Sequence, residues 1–310
     1  MSEPFATPLS ASTRYCAVYG QPIKHSASPA MQNAALAALK INWRYLAFEV
    51  HPEQLREAIA GAKAMKFIGL NLTLPHKLLA FGLVDEVDES ARVWGAINTI
   101  RFEAQDSQGA WRPIGETTEL VAPERIRSQG FNTDAEAITR SLREDLGLEP
   151  AGARVLLLGT GGAGRTAALK LASEKVDQLF LVNRTASKAV ALAEEISERF
   201  PTVKVSLGYP HPTETVDLLL NATSLGLKPD DLLPLDASWF SLRRTGAVYD
   251  MLYRPAETPL LRAARTAGCS VANGLSMLLY QGAKALELWS GRNPPIEVMR
   301  EALRKNVYGA

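Results

Sequence analysis

The chain has 310 residues, 46% hydrophobic and 22% charged, the profile of a globular protein whose length suits two domains at ~100–200 residues each. Its 34 basic and 33 acidic residues leave a formal net charge of +1, which excludes a broad attraction to nucleic acid or to an anionic membrane. Two distant cysteines, Cys16 and Cys269, match no metal spacing and fit a reduced, cytoplasmic protein, and no apolar run approaches the ~20 residues that span a bilayer.

The first 13 residues lack the basic start and apolar run of a signal peptide and read as a loose terminus. A strand is expected at "YCAVYG" (15–20), then a helix at "SPAMQNAALAALKI" (28–41), opened by Ser28 as a hydroxyl cap and Pro29 in the first turn. "WRYLAFEV" (43–50) reads as a strand and "HPEQLREAIAGAKAM" (51–65) as a helix. "GLNLTL" (69–74) is a third strand, because Leu70, Leu72 and Leu74 alternate with Asn71 and Thr73. Pro75 ends it, and His76 and Lys77 follow directly. Strands alternating with helices predict a mostly parallel sheet covered by helices on both faces.

"AINT" (96–99) places Asn98 at the end of another short strand. Residues 101–130 are polar and weakly patterned, and are expected to form a long connection. "NTDAEAITRSLREDLGL" (132–148) becomes amphipathic and predicts a helix leading to a second domain, with Pro150, Ala151 and Gly152 resembling a boundary. A second β/α series follows: strands at 154–159, 178–183, 216–221 and 246–251, with helices to about 174 and over 186–199. The amphipathic tail, 275–304, lies too far from any strand to finish this sheet and is expected back on the first domain. The fold class is α/β in two domains, 1–134 completed by 275–310, and a Rossmann-like 135–274.

"LLLGTGGAGRTAALKLA" (156–172) holds Gly159, Gly161 and Gly164 in G-x-G-x-x-G spacing, with Gly162 and Ala163 between. The spacing alone is weak, but here it ends an apolar strand and opens an alanine-rich helix, the context a pyrophosphate site requires. At the end of the next strand an NAD enzyme carries an acid for the ribose hydroxyl. This chain has Asn183, Arg184 and Thr185, with Lys188 close behind. An arginine pairs with a 2′-phosphate that an acid would repel, so NADP is favoured. "NATSLG" (221–226) adds Thr223 and Ser224 at a strand end on the rim where cofactors lie.

In the first domain, Ser26 and Ser28 stand between a strand and a helix, "NLTLPHK" supplies Asn71, Thr73 and Lys77, and "AINT" supplies Asn98. Each alone has a plainer explanation: Ser28 caps a helix, Asn98 makes a turn, Lys77 is a surface lysine. Together with "GFNTD", "GTGGAG", "VNRT", "NATSLG" and "YDMLYRPAETPLLRAARTAG", in this order over residues 15 to about 290, they resemble the shikimate dehydrogenase family. The "NLTLPHK" and "GFNTD" blocks are the specific ones.

The resemblance implies NADP-dependent, reversible reduction of 3-dehydroshikimate to shikimate in aromatic amino-acid biosynthesis. By matching motif, Lys77 and Asp134 would be the catalytic pair. Ser26, Ser28, Thr73, Asn98, Tyr253 and Gln281 would surround the substrate, and Met251 and Gly274 would sit near the nicotinamide. It implies a small-molecule substrate, a monomer or homodimer, and no metal, nucleic-acid or membrane partner. The chain departs from the family pattern at Ala135, where a glycine is usual, and at Asn273 and Ser276, where Asp and Gly are expected. Rival readings are a quinate enzyme using NAD, another two-domain NADP enzyme such as a methylenetetrahydrofolate dehydrogenase, and a non-catalytic NADP sensor.

Overall fold

A computed structural model describes residues 8–117, 125–228 and 230–309. The chain divides into two compact units: Met1–Thr133 with Leu279–Ala310, and Asp134–Leu278. Of the terminus expected to be loose, residues 1–7 lie outside the described residues. Thr13 is already buried, its hydroxyl donating to Asn42 Oδ1 at 3.1 Å.

The first unit runs β1 (Arg14–Gly20), α1 (Ser28–Ala38), β2 (Trp43–Glu49), α2 (Leu55–Ala64), β3 (Gly69–Leu72), α3 (His76–Leu79), β4 (Glu86–Val87), α4 (Glu89–Trp94), β5 (Thr99–Gln105), β6 (Trp111–Pro113) and β7 (Ile126–Phe131). The sheet order is β2-β1-β3-β5-β7-β4, with β6 beside β5. The first three strands are mutually parallel, whereas β5 runs against β3, β6 and β7.

That antiparallel half comes from the stretch expected to be a connection, of which 118–124 lie outside the described residues. Its strands are polar for a physical reason. On one face Arg101 stands opposite Gln129 and Glu103 opposite Arg127. Glu103 is buried between both arginines, pairing with Arg101 and, at 2.7 Å, with Arg127. The Glu103–Arg127 pair across the strands and the Arg101–Glu103 pair along β5 do here what apolar alternation does elsewhere. The other face, with Phe102, Ala104, Ile126 and Ser128, is buried.

The second unit runs α5 (Asp134–Leu146), β8 (Arg154–Leu158), α6 (Gly162–Ser173), β9 (Gln178–Val182), α7 (Ala186–Arg199), β10 (Lys204–Leu207), β11 (Val216–Asn221), β12 (Thr245–Asp250), α8 (Pro259–Thr266) and β13 (Ser270–Asn273). Its strands are all parallel, in the order β10-β9-β8-β11-β12-β13. Buried on both faces, residues 155–158 of β8 and 218–220 of β11 are continuous apolar runs. Leu156, Leu158, Phe180, Leu219 and Val248 form a core with Leu260 and Leu261 of α8. Residues 150–152, expected as a domain boundary, instead turn into β8 inside this unit, with Gly152 N–H donating to Lys175 O at 2.9 Å. The sequence reading missed β10, α8 and β13, which are short.

The chain ends in α9 (Leu275–Ser290) and α10 (Ile296–Tyr308). From Leu279 onward it belongs to the first unit, where α10 packs on α1. The fully buried Trp289 donates to Ile100 O at 2.9 Å, and Gln32 Nε2 donates to Gly282 O at 2.8 Å. Among the described residues no helix is long and apolar enough to cross a membrane.

Candidate active site

In the first unit, strand direction gathers the polar residues at one sheet edge. Parallel strands β1 and β3 both end there. β5 is antiparallel to β3, with Thr99 opposite Asn71, so it begins at that edge. β7 is antiparallel to β5, with Phe131 opposite Thr99, so it ends there. Four strand ends thus bring together Ser26 and Ser28 after β1, Thr73 and Lys77 after β3, Asn98 before β5, and Asn132 and Thr133 after β7. Asn98, expected to close a strand, precedes one instead, because the strand it serves runs in the opposite direction.

Hydrogen bonds lock this edge. Asn98 Oδ1 accepts from Thr133 N–H at 2.7 Å, and its Nδ2 donates to Thr133 Oγ1 at 2.9 Å and Gln281 Oε1 at 3.4 Å. Asn71 Nδ2 donates to Thr99 Oγ1 at 3.0 Å and to Asn98 O at 3.3 Å. Its Oδ1 accepts from the Tyr45 hydroxyl at 2.7 Å. Burial pushes the Tyr45 phenol well above its ordinary pKa, which keeps it a donor. The buried Thr133 is therefore held by its amide and its hydroxyl, and the next residue, Asp134, is buried as well.

Ser28 is the first residue of α1 rather than its cap: Ala27 occupies the cap position without a side-chain bond. Ser28 N–H instead faces Ser26 Oγ at 3.4 Å. β3 stops at Leu72, two residues before the expected end, since Thr73 O turns to accept from His76 N–H at 2.8 Å and Pro75 has no N–H to continue a ladder. The Leu74–Pro75 peptide bond is cis. Lys77, half-buried on α3, is anchored through its carbonyl, which accepts from Ile97 N–H at 2.9 Å. Beside it, burial lowers the pKa of the buried His76, so at neutral pH the imidazole adds no competing charge. Nothing in the apolar-polar pattern singles out His76, and the sequence reading left it without a role.

Asp134, Tyr253 and every cofactor candidate belong to the second unit. Counting its strands from β8, the order of that sheet is 3-2-1-4-5-6, which places the topological switch point between β8 and β11. Gly159, leaving β8, has φ +93°, and a Cβ there would lie 2.9 Å from Thr223 Cγ2 and 3.1 Å from the Ala222 backbone. A Cβ on Gly164 would strike the Gly159 carbonyl. Gly161 is the N-cap of α6 and offers no side-chain cap. The first amides of α6, from Gly162, Ala163 and Gly164, thus stand at the positive end of the helix without a side-chain cap.

Asn183 braces this loop: its Oδ1 accepts from Thr160 N–H at 3.0 Å and its Nδ2 donates to Thr185 O at 2.9 Å. Arg184, Thr185 and Lys188 are exposed at the same strand edge. Ser224 is exposed, but the Thr223 hydroxyl is already engaged, donating to Asn221 Oδ1 at 2.8 Å and accepting from Leu225 N–H at 3.2 Å. Met251 N–H donates to Asn221 O at 2.9 Å, and Gly274 lies so close to the Met251 carbonyl that a Cβ would collide with it.

The departures from pattern also have local explanations. Asn273 Oδ1 accepts from Leu275 N–H at 3.1 Å at the start of α9, Ser276 Oγ donates to Asp145 Oδ1 at 2.9 Å, and Ala135 is buried within α5. Among the described residues no cluster of His, Cys, Asp and Glu could hold a metal.

The glycine cradle, uncapped helix start and adjacent exposed cations fit a phosphorylated dinucleotide. The model of the shikimate dehydrogenase substrate binding domain matches residues 18–100. That of shikimate / quinate 5-dehydrogenase matches 142–225, and that of the shikimate 5'-dehydrogenase C-terminal domain matches 274–304. A shikimate dehydrogenase (NADP(+)) of Methanopyrus kandleri is 38% identical over 304 residues, covering 96% of this chain and 98% of that protein. A crystal structure of a shikimate dehydrogenase in complex with NADP+ superposes with a TM-score of 0.80 at 34% identity, covering 97% of this chain and 98% of that one. The Thermus thermophilus shikimate 5-dehydrogenase, in complex with NADP(H) and shikimate, gives 0.76 at 35% identity, covering 95% and 100%. With full-length relatives at this identity and family models matched in both halves, the chain belongs to the shikimate dehydrogenase family.

Proposed function

We propose that this protein is an NADP-dependent shikimate dehydrogenase, an oxidoreductase that reversibly reduces 3-dehydroshikimate to shikimate in aromatic amino-acid biosynthesis. It acts in the cytoplasm as a monomer or homodimer. Residues 1–134, with 275–310, bind the substrate, and 135–274 bind NADP. The observation that supports this best is the edge of the first sheet, where four strand ends carry hydroxyl and carboxamide groups and Lys77 follows one of them. Such a set suits a small polyhydroxylated acid: Ser26, Ser28, Thr73, Asn98, Gln281 and Tyr253 hold its carboxylate and hydroxyls by hydrogen bonds.

NADPH supplies the hydride. Its pyrophosphate is held by the glycine loop, Gly159 to Gly164, with Ser224, Met251 and Gly274 along its length. Arg184, with Asn183, Thr185 and Lys188 nearby, takes the adenosine phosphate. When the ring ketone gains a hydride it becomes an alkoxide, and a donor must stabilise or protonate that oxygen. Lys77 supplies the proton or the positive charge, and Asp134 holds the ammonium and a neighbouring hydroxyl in position. In the oxidative direction the same pair removes the proton from the alcohol.

The test is the reduced-nicotinamide absorbance of purified protein with shikimate or quinate, each with NADP or NAD. A rise with shikimate and NADP is expected. A rise confined to quinate and NAD would overturn the proposed specificity.

A further inference from the structure

One buried carboxylate takes no part in this mechanism. Asp250, at the carboxyl end of β12, is fully buried, and among the described residues its hydrogen-bond donors are neutral. Its Oδ1 accepts from Asn221 Nδ2 at 2.9 Å and from Leu252 N–H at 3.1 Å, and its Oδ2 accepts from Thr258 Oγ1 at 2.6 Å. Burial raises its pKa above the ordinary carboxyl value. A group kept at that cost needs a reason.

The geometry of its partners supplies one. A carboxylate only accepts, so Asn221 must turn its Nδ2 toward Asp250 and its Oδ1 the other way. That Oδ1 then collects the N–H and O–H of Thr223, at 3.0 and 2.8 Å. Thr223 is the residue whose methyl lies against Gly159, the first glycine of the dinucleotide loop. On its other side Asp250 holds the start of the β12 loop at Leu252. Through Thr258, whose Oγ1 caps α8 by accepting from Leu261 N–H at 3.3 Å, it also holds that loop's end. The segment between carries Tyr253.

We infer that Asp250 is a positioning residue for the cofactor site: through Asn221 and Thr258 it ties the loop after β11 to the loop after β12 and sets the Thr223 wall of the glycine loop. This rests on the NADP reading above. It implies that Thr223 serves the cofactor by its placement rather than by donating its hydroxyl proton to it, because that proton goes to Asn221.

Three variants test it by steady-state kinetics with NADP and shikimate, alongside direct NADP titration well below each melting temperature. Asp250→Ala should raise the NADP KM by about 30-fold or more. Thr223→Val keeps the methyl against Gly159 and removes only the hydroxyl, and should raise the NADP KM by about 5–10-fold, with the shikimate KM within about 2-fold. Asp250→Asn can accept through its Oδ1 and donate its Nδ2 to Thr258, so it should restore the NADP KM to within about 3-fold of wild type. A general loss of structure would move both KM values and would not be rescued by the amide. If Asp250→Ala does not fold, Thr223→Val carries the test. An NADP KM unchanged in Thr223→Val, or a shikimate KM rising in step with it, overturns the inference. Wild-type protein that fails to bind NADP overturns the functional reading instead.

Discussion

Both units present their candidate site residues at the carboxyl edge of parallel strands, but by different means. In the second unit the edge is made of backbone: a glycine loop, the uncapped start of α6, and side chains such as Asn183 and Asn221 that brace the loops. In the first unit it is made of side chains, with Asn71, Thr99, Thr133 and Asn98 locked to one another over strand ends that arrive from both directions. Backbone amides at a helix start recognise a phosphate by charge and shape. A fixed array of hydroxyls and carboxamides recognises the positions of ring substituents, because each partner must match a donor or an acceptor. The comparison predicts that the two edges fail separately.

The largest effect should come from Asp134→Asn, with kcat reduced about 100–10,000-fold and NADP affinity kept. A matching loss of NADP binding, read by fluorescence titration, would merge the two edges into one. Gly164→Ala strikes the backbone edge: a Cβ there meets the Gly159 carbonyl, and overpacking of ~1–3 kcal/mol corresponds to about 5–140-fold in NADP affinity. The shikimate KM of that variant should stay near wild type. A milder change is Arg184→Ala on the exposed rim, where one lost charge-assisted pair of ~1.5 kcal/mol should lower the preference for NADP over NAD by about 10-fold. An unchanged ratio of kcat/KM values for the two cofactors would remove Arg184 from the phosphate site.

The smallest effect is on pH dependence. His76 is held below its ordinary pKa of 6.5 by burial. Below that value the unfolded chain binds a proton that the folded chain resists, so stability is intact above pH 6.5 and is lost as pH falls toward the lowered value. His76→Phe should flatten the fall of Tm over that window. Parallel Tm profiles for the two proteins would contradict it.

How much of this was legible in the sequence follows the same division. The glycine loop could be read because a backbone site demands glycine at fixed spacing between a strand and a helix, as at Gly159 and Gly164. The β/α alternation of the second unit was readable because its central strands carry apolar runs, 155–158 in β8 and 218–220 in β11. The first unit's edge was only half readable. Lys77 and Asn98 stood out as polar residues beside buried strands, but Asn98 was assigned to the wrong end of its strand, since direction is a property of pairing. The bonds from Asn98 to Thr133 and Gln281 join residues 35 and 183 positions apart, and no local pattern encodes them. The strands β5 and β7 were hidden because one of their faces pairs Arg101, Glu103, Arg127 and Gln129, which reads as a polar connection. Asp250 went unnoticed because its partners come from two other segments, Asn221 and Thr258.

The most direct test of the account is Lys77→Ala, assayed for shikimate-dependent NADP reduction and, on the same sample, for NADP affinity by titration. The expected result is a kcat lower by about 100–10,000-fold, with the NADP dissociation constant within about 2-fold of wild type. A kcat within about 10-fold of wild type after the loss of Lys77 would contradict it.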